Sequence, residues 1–212
     1  MSTAAAAVPA DHSFFLRRVH SLTGIVPVGA YVIEHLFSNL FALRGPEAYN
    51  AQVTFLVSLP MVLVLEIVFI WAPILYHGGY GVVIWWRGDS NVTQYPWTGN
   101  WLYTLQRYSG LAAFAYIIYH TIQQRFTGTH LLDHPDQAFT KVAQALSNPL
   151  VFAIYVVGIV AVSFHFAYGI WLFAVKWGLT PGERAQRLLG YACTAFGGAL
   201  IGLWLAALMA FV

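Results

Sequence analysis

Charge is what this sequence has least of. Ten basic and eight acidic residues make up 8% of 212, against roughly a quarter in soluble domains. That scarcity excludes an ordinary cytosolic enzyme, and the abundance of apolar residues excludes a disordered chain. The net charge of +2 is too small and too scattered to attract a polyanion, so no nucleic-acid partner is expected. Cysteine is nearly absent: Cys193 stands alone in an apolar run, which rules out an internal disulfide or a thiolate cluster and reads as a packed core thiol. The opening MSTAAAAVPADHS lacks the basic n-region of a signal peptide, so the first apolar run is expected to be a true span rather than a cleaved leader. No polar stretch is long enough for a soluble domain, so water-soluble chemistry must come from other chains.

What is present is apolar. Hydrophobic residues make up 59% and aromatics 17%, with a mean hydropathy of +0.65. A helix needs about 20 apolar residues to cross a bilayer. Five runs qualify, at about 19–42, 60–86, 101–124, 149–177 and 188–212. They predict a single all-α integral membrane domain over 1–212 with five transmembrane helices, I to V. With the N-terminus inside, Arg17, Arg18, Arg87, Arg107, Lys176, Arg184 and Arg187 fall on cytoplasmic segments, and Arg44, Arg125 and Lys141 fall outside. Seven basic residues against three place the N-terminus in the cytoplasm and the C-terminus outside. Trp85, Trp86, Trp97, Trp101 and Trp177 gather at the same inner boundary, where interfacial anchors belong. The one long loop, between helices III and IV, is expected to carry a small amphipathic helix near its end.

Eight histidines carry the chemical signal. His12, His130 and His134 lie in terminal or loop segments and are read as solvated. His35, His77, His120 and His165 fall one on each of helices I to IV, where ionisable groups are costly and usually functional. At 1.5 Å per residue, His35 (17 residues past Arg18) and His120 (13 past Arg107) lie roughly 20–25 Å from the inner boundary. His77 (10 before Arg87) and His165 (11 before Lys176) lie at about 15 Å. Two histidines at each of two levels match a four-helix core holding two stacked haems, each pair supplying both axial nitrogens. A zinc or di-iron site would instead bring its ligands to one point.

The sequence also repeats. R-R-V-H-S-L-T-G (17–24) precedes His35 by eleven residues, and L-Q-R-Y-S-G (105–110) precedes His120 by ten. Helices II and IV share H-x-x-Y-G, at His77 to Gly81 and at His165 to Gly169. Gly81 and Gly169 sit one turn from their histidines and are candidates for close approach of a flat ring to the backbone.

These fragments, with F-F-L-R-R-V-H-S-L-T-G-I-V-P-V-G (14–29), L-E-I around Glu66 and F-H-F-A-Y-G-I-W-L-F-A-V-K-W-G (164–178), resemble the cytochrome b subunit of succinate:quinone oxidoreductases and fumarate reductases. The likeness is to the five-helix, di-haem, single-polypeptide type, from about Phe14 to the C-terminus. It implies an anchor in the cell membrane, bacterial in type, for a flavoprotein (FAD) subunit and an iron-sulfur subunit docked on the cytoplasmic face. Electrons would pass between the iron-sulfur subunit and a quinone, menaquinone by family tendency. It further implies that His77 and His165 hold the proximal haem b and that His35 and His120 hold the distal one.

Lys176, three turns after His165 on nearly the same face, is a candidate partner for a proximal propionate. His20, Ser21 and Arg17, at the inner end of helix I, are further propionate candidates. Glu66, eleven residues before His77, lies near the outer histidine level. It is the candidate for proton exchange with a quinone. Competing readings are a cytochrome b anchor of a formate dehydrogenase or hydrogenase, and a haem-free transporter whose histidines form a relay.

Overall fold

In the computed structural model, which describes residues 13–212, the first apolar run is two helices rather than one, and His12 lies outside the described residues. Helix α1 (Ser13–Ile25) gives way to α2 (Pro27–Asn39) at Pro27, which has no N–H to continue the ladder. A 3-10 turn, Leu40–Arg44, ends the run. The segment between the first two runs, expected to be loop, forms α3 (Pro46–Val57), opened by Gly45 at φ 98° and by Pro46. It is short and of mixed polarity, so it leaves no long apolar run to find.

The second run starts after Met61, whose left-handed φ of 54° is the only such non-glycine backbone among the described residues. It comprises α4 (Val62–Leu65), a π-helical segment Glu66–Trp71 and α5 (Ala72–Arg87). Pro73 cannot bond the carbonyl four residues back and its ring crowds that carbonyl, so the turn before it widens. Helix α6 (Thr98–Thr121) also ends in a π segment, Ile122–Phe126. The expected small amphipathic helix is α7 (Ala138–Leu146). Helix α8 (Pro149–Lys176) is capped by Asn148, whose Oδ1 accepts from Leu150 N at 2.9 Å and Val151 N at 3.4 Å. Helix α9 (Glu183–Met209) starts five residues ahead of the apolar run, because Gly182 and the Glu183–Arg187 pair (3.3 Å) build its first turn from polar residues.

Four stretches are long and apolar enough to cross a membrane: Ser13–Arg44, Val62–Arg87, Pro149–Lys176 and Glu183–Met209. Helix α6, the remaining expected span, has 24 residues, a length of about 36 Å. Its apolar content falls short of the other four because it carries Gln106, Arg107 and Ser109.

Around the bundle, α1 packs on α5, α5 on α6, α6 on α8 and α8 on α1, closing a four-helix ring, while α9 lies outside it along α8. The run Val62–Arg87 buries none of its most apolar window and turns Val64, Phe69 and Leu75 outward, as a lipid-facing helix does. Below, the end bearing Arg17, Arg18 and Lys176 is called inner, following the charge count. The opposite end is closed by α3 and α7. Asn50 on α3 accepts from Phe139 N (2.8 Å) and donates to the Asp136 carbonyl. Beneath them Tyr49, Ala138, Leu146, Tyr155, Ile159, Leu208 and Phe211 form a buried cluster.

Candidate functional site

Helix geometry brings His35 on α2, His77 on α5, His120 on α6 and His165 on α8 together in two pairs. The His77 and His165 ring centroids are 6.1 Å apart at 75°, and those of His35 and His120 are 5.8 Å apart at 71°.

The inner pair is held by backbone. His77 Nδ1 bonds the His20 carbonyl at 2.9 Å, and His165 Nδ1 bonds the Gln106 carbonyl at 3.0 Å. A carbonyl only accepts, so each imidazole carries its proton on Nδ1 and keeps the Nε2 lone pair for a ligand. This is the outer-sphere pattern of metal-binding histidines. The two acceptors occupy equivalent places, four residues before Gly24 and four before Gly110. Both glycines are required. A Cβ on Gly24 would collide with His77 Cε1, and one on Gly110 would lie 2.6 Å from His165 Cε1. The repeat of helices I and III therefore encodes a seat for the histidine of the helix that follows: one carbonyl to orient it and one missing side chain to admit it.

These residues line a cavity of about 470 Å³ that also includes Arg17, His20, Ser21, Gly81, Gly169 and Lys176. Gly81 and Gly169 face His20 Cε1 and Gln106 Nε2, with Cβ clearances of 3.4 and 3.5 Å, so they are less tight than Gly24 and Gly110. The His20 ring stacks on His77 (centroids 4.1 Å, 5°). Ser21 Oγ donates to the Arg18 carbonyl (2.9 Å) and accepts from Trp177 Nε1 (3.1 Å). Arg107 donates to the Trp85 and Gly88 carbonyls at the C-terminus of α5.

Three buried polar atoms of this lining, His20 Nδ1, Gln106 Oε1 and Arg107 Nε, have no hydrogen-bond partner. Buried polar groups are nearly always paired. An apolar slot with two facing imidazoles, glycine clearances and unpaired polar groups at its edge fits a planar macrocycle with polar substituents. Haem is such a group.

The outer pair is held by side chains. His120 Nδ1 lies 3.1 Å from Tyr155 Oη, which donates to Gln123 Oε1 and accepts from Gln124 Nε2, both at 2.8 Å. His35 stacks on Tyr31 (5.3 Å) and lies 5.6 Å from Trp204, so α9 contributes to this level without supplying a histidine. Asn39 Nδ2 donates to the His35 carbonyl (2.8 Å) and reaches His35 Nε2 only at 3.5 Å.

Glu66 Oε2 accepts from Arg125 Nη2 at 2.7 Å, joining the two π-helical segments. Such segments recur at functional sites. Nearby, Lys141 Nζ donates to the carbonyls of Gln124, Thr127 and Thr129 (2.8, 2.7 and 2.6 Å), capping the end of the third helix. Burial, then the Arg125 guanidinium, push the Lys141 ammonium below its ordinary pKa.

Gln106, Arg107, Gly24, Gly110, Tyr155, Gln123, Gln124 and Arg125 were not singled out as site residues from sequence. Gln106, Arg107 and the two glycines had a signal, the repeat in which they lie; a carbonyl acceptor leaves no trace in residue type.

The model of the family described as succinate dehydrogenase/fumarate reductase transmembrane subunit matches residues 88–203. The succinate dehydrogenase cytochrome b558 subunit of Bacillus subtilis (strain 168) is 39% identical over 202 residues, covering 95% of this chain and 98% of that protein.

Proposed function

This chain belongs to the succinate dehydrogenase/fumarate reductase transmembrane subunit family, and we propose that it works there as a two-haem cytochrome b. It anchors the flavoprotein and iron-sulfur subunits at the inner face of a bacterial cell membrane, crossing that membrane five times. It passes electrons between the iron-sulfur subunit and a quinone of the menaquinone type. Family membership sets aside the formate dehydrogenase, hydrogenase and transporter readings.

The observation that carries the proposal is the pairing of four interior histidines at two levels, with Nδ1 of His77, His165 and His120 occupied. Bound haem would supply one-electron transfer there, with His35, His77, His120 and His165 as the residues that would hold it. His77 and His165 would hold one haem through Nε2 at the inner level, and the facing rings of His35 and His120 would hold the other at the outer. Lys176 and Arg17 bring positive charge to the inner cavity and Ser21 a hydroxyl, the partners a carboxylate substituent needs there. His20 Nδ1 and Gln106 Oε1 offer unused hydrogen-bonding capacity at the same rim. At the outer level Glu66 Oε2, oriented by Arg125, is placed to exchange a proton with a quinone entering from the lipid.

The test is purification from native membranes with the partner subunits, followed by a pyridine haemochrome count and a reduced-minus-oxidised spectrum. Two b haems per chain are expected. A count of one or none sinks the two-haem reading, and purification without a flavoprotein and an iron-sulfur subunit sinks the anchor.

A further inference from the structure

The two histidine pairs are oriented by different chemistry. Each inner histidine donates to a main-chain carbonyl, a fixed acceptor that no side-chain motion can remove. His120 has no such carbonyl and meets the hydroxyl of Tyr155, a group that both donates and accepts. Left alone, that hydroxyl would allow either tautomer of His120, one of which carries its proton on Nε2 and cannot ligate.

Two neighbouring amides remove the ambiguity. Gln123 Oε1 takes the Tyr155 proton at 2.8 Å and Gln124 Nε2 donates to the same oxygen at 2.8 Å. With its proton committed, Tyr155 can only accept from His120. In a regular α-helix consecutive side chains diverge by about 100° and do not face one target. Gln123 and Gln124 both reach Tyr155 because they lie in the π segment Ile122–Phe126, whose wider turn lessens that divergence. The segment is pinned by Lys141 on the Gln124, Thr127 and Thr129 carbonyls. Tyr155 is itself 5% exposed, packed in the cluster under α3 and α7.

We propose that Tyr155, locked between Gln123 and Gln124, is the positioning residue of the outer pair: it fixes His120 with Nδ1 as donor, leaves Nε2 unprotonated to ligate, and sets how strongly that nitrogen donates to iron. This rests on the reading that His35 and His120 hold a haem. The acceptor on Nδ1 raises ligand basicity, which favours the oxidised metal. Removing the acceptor therefore raises the outer midpoint potential. Removing the competing donor, Gln124, leaves the Tyr155 oxygen freer to accept and lowers it. The inner pair shares none of these bonds, so its potential stays in place.

The experiment is a redox titration of the whole complex in membranes, with low-temperature EPR of the ferric low-spin signals, for wild type, Tyr155→Phe and Gln124→Met. Tyr155→Phe keeps the buried ring and so the packing. Shifts of opposite sign in the two variants, confined to one haem whose ferric signal also moves, are expected. If the wild type holds two haems and Tyr155→Phe leaves both potentials and both signals unmoved, or the two variants shift them in the same direction, the inference is overturned. A wild type without an outer haem overturns the underlying reading as well.

Discussion

Substituting Gly110 by alanine tests whether the inner seat works as described. The added Cβ would stand 2.6 Å from His165 Cε1, and ordinary contact begins at 3.4 Å, so the ring must retreat by about 0.8 Å. Helix α8 cannot move as a whole, because α6 and α9 pack along it. The retreat therefore falls on the side chain and stretches its 3.0 Å bond to the Gln106 carbonyl past the useful range. Losing that bond costs about 1 kcal/mol, and overpacking adds roughly 1–3 kcal/mol. Metal-ligand distances tolerate only about 0.2 Å, so the functional loss exceeds the loss of stability. The haemochrome count is expected to fall from two per chain towards one while the complex still assembles. Gly24→Ala should do the same through His77. Gly79→Ala, where a Cβ meets nothing within 4 Å, is the control and should keep both haems. Retention of two haems with an unshifted spectrum in Gly110→Ala, or equal haem loss in Gly79→Ala, would refute the account.

His77→Ala should remove the inner haem and spare the outer one; optical redox titration would then show a single b component. Glu66→Gln leaves Arg125 without its anionic partner at 2.7 Å. Succinate-dependent reduction of a quinone analogue should fall severalfold, while reduction of a water-soluble dye by the head subunits is unchanged. Equal loss of both activities would assign Glu66 to assembly instead. Lys141→Met strips three carbonyls of their donor, and the purified complex should lose about 1–2 kcal/mol, read as a lowered Tm with the inner haem spectrum intact.

The histidine levels were legible because a histidine in an apolar run stands out and the helical rise is constant. His35 meeting His120 follows from counting residues between charged boundaries. The seats were less legible. Gly24 and Gly110 are visible as a repeat, yet the acceptors that orient His77 and His165 are main-chain carbonyls, which leave no trace in residue type. Helix α3 escaped detection because Pro46–Val57 is too short and too mixed to register as an apolar run. Pro73 is the one local mark of the π turn before it. Tyr155 is separated from Gln123 and Gln124 by some thirty residues of chain, and nothing local says that a hydroxyl on one helix will settle the proton of a histidine on another. Helix α6 shows the opposite effect: its interior polar groups, which serve the site, dilute the apolar signal by which spans are found.

Each histidine pair straddles the repeat. His77 and His165 come from the first and second helical hairpins of the ring, and so do His35 and His120. Neither hairpin alone supplies both histidines of a pair, so on the two-haem proposal bound haem would clasp one half to the other. Biogenesis inherits that dependence. In cells starved of haem the two halves should hold less firmly along both seams, α5 with α6 and α1 with α8, tying the abundance of the anchor to haem supply.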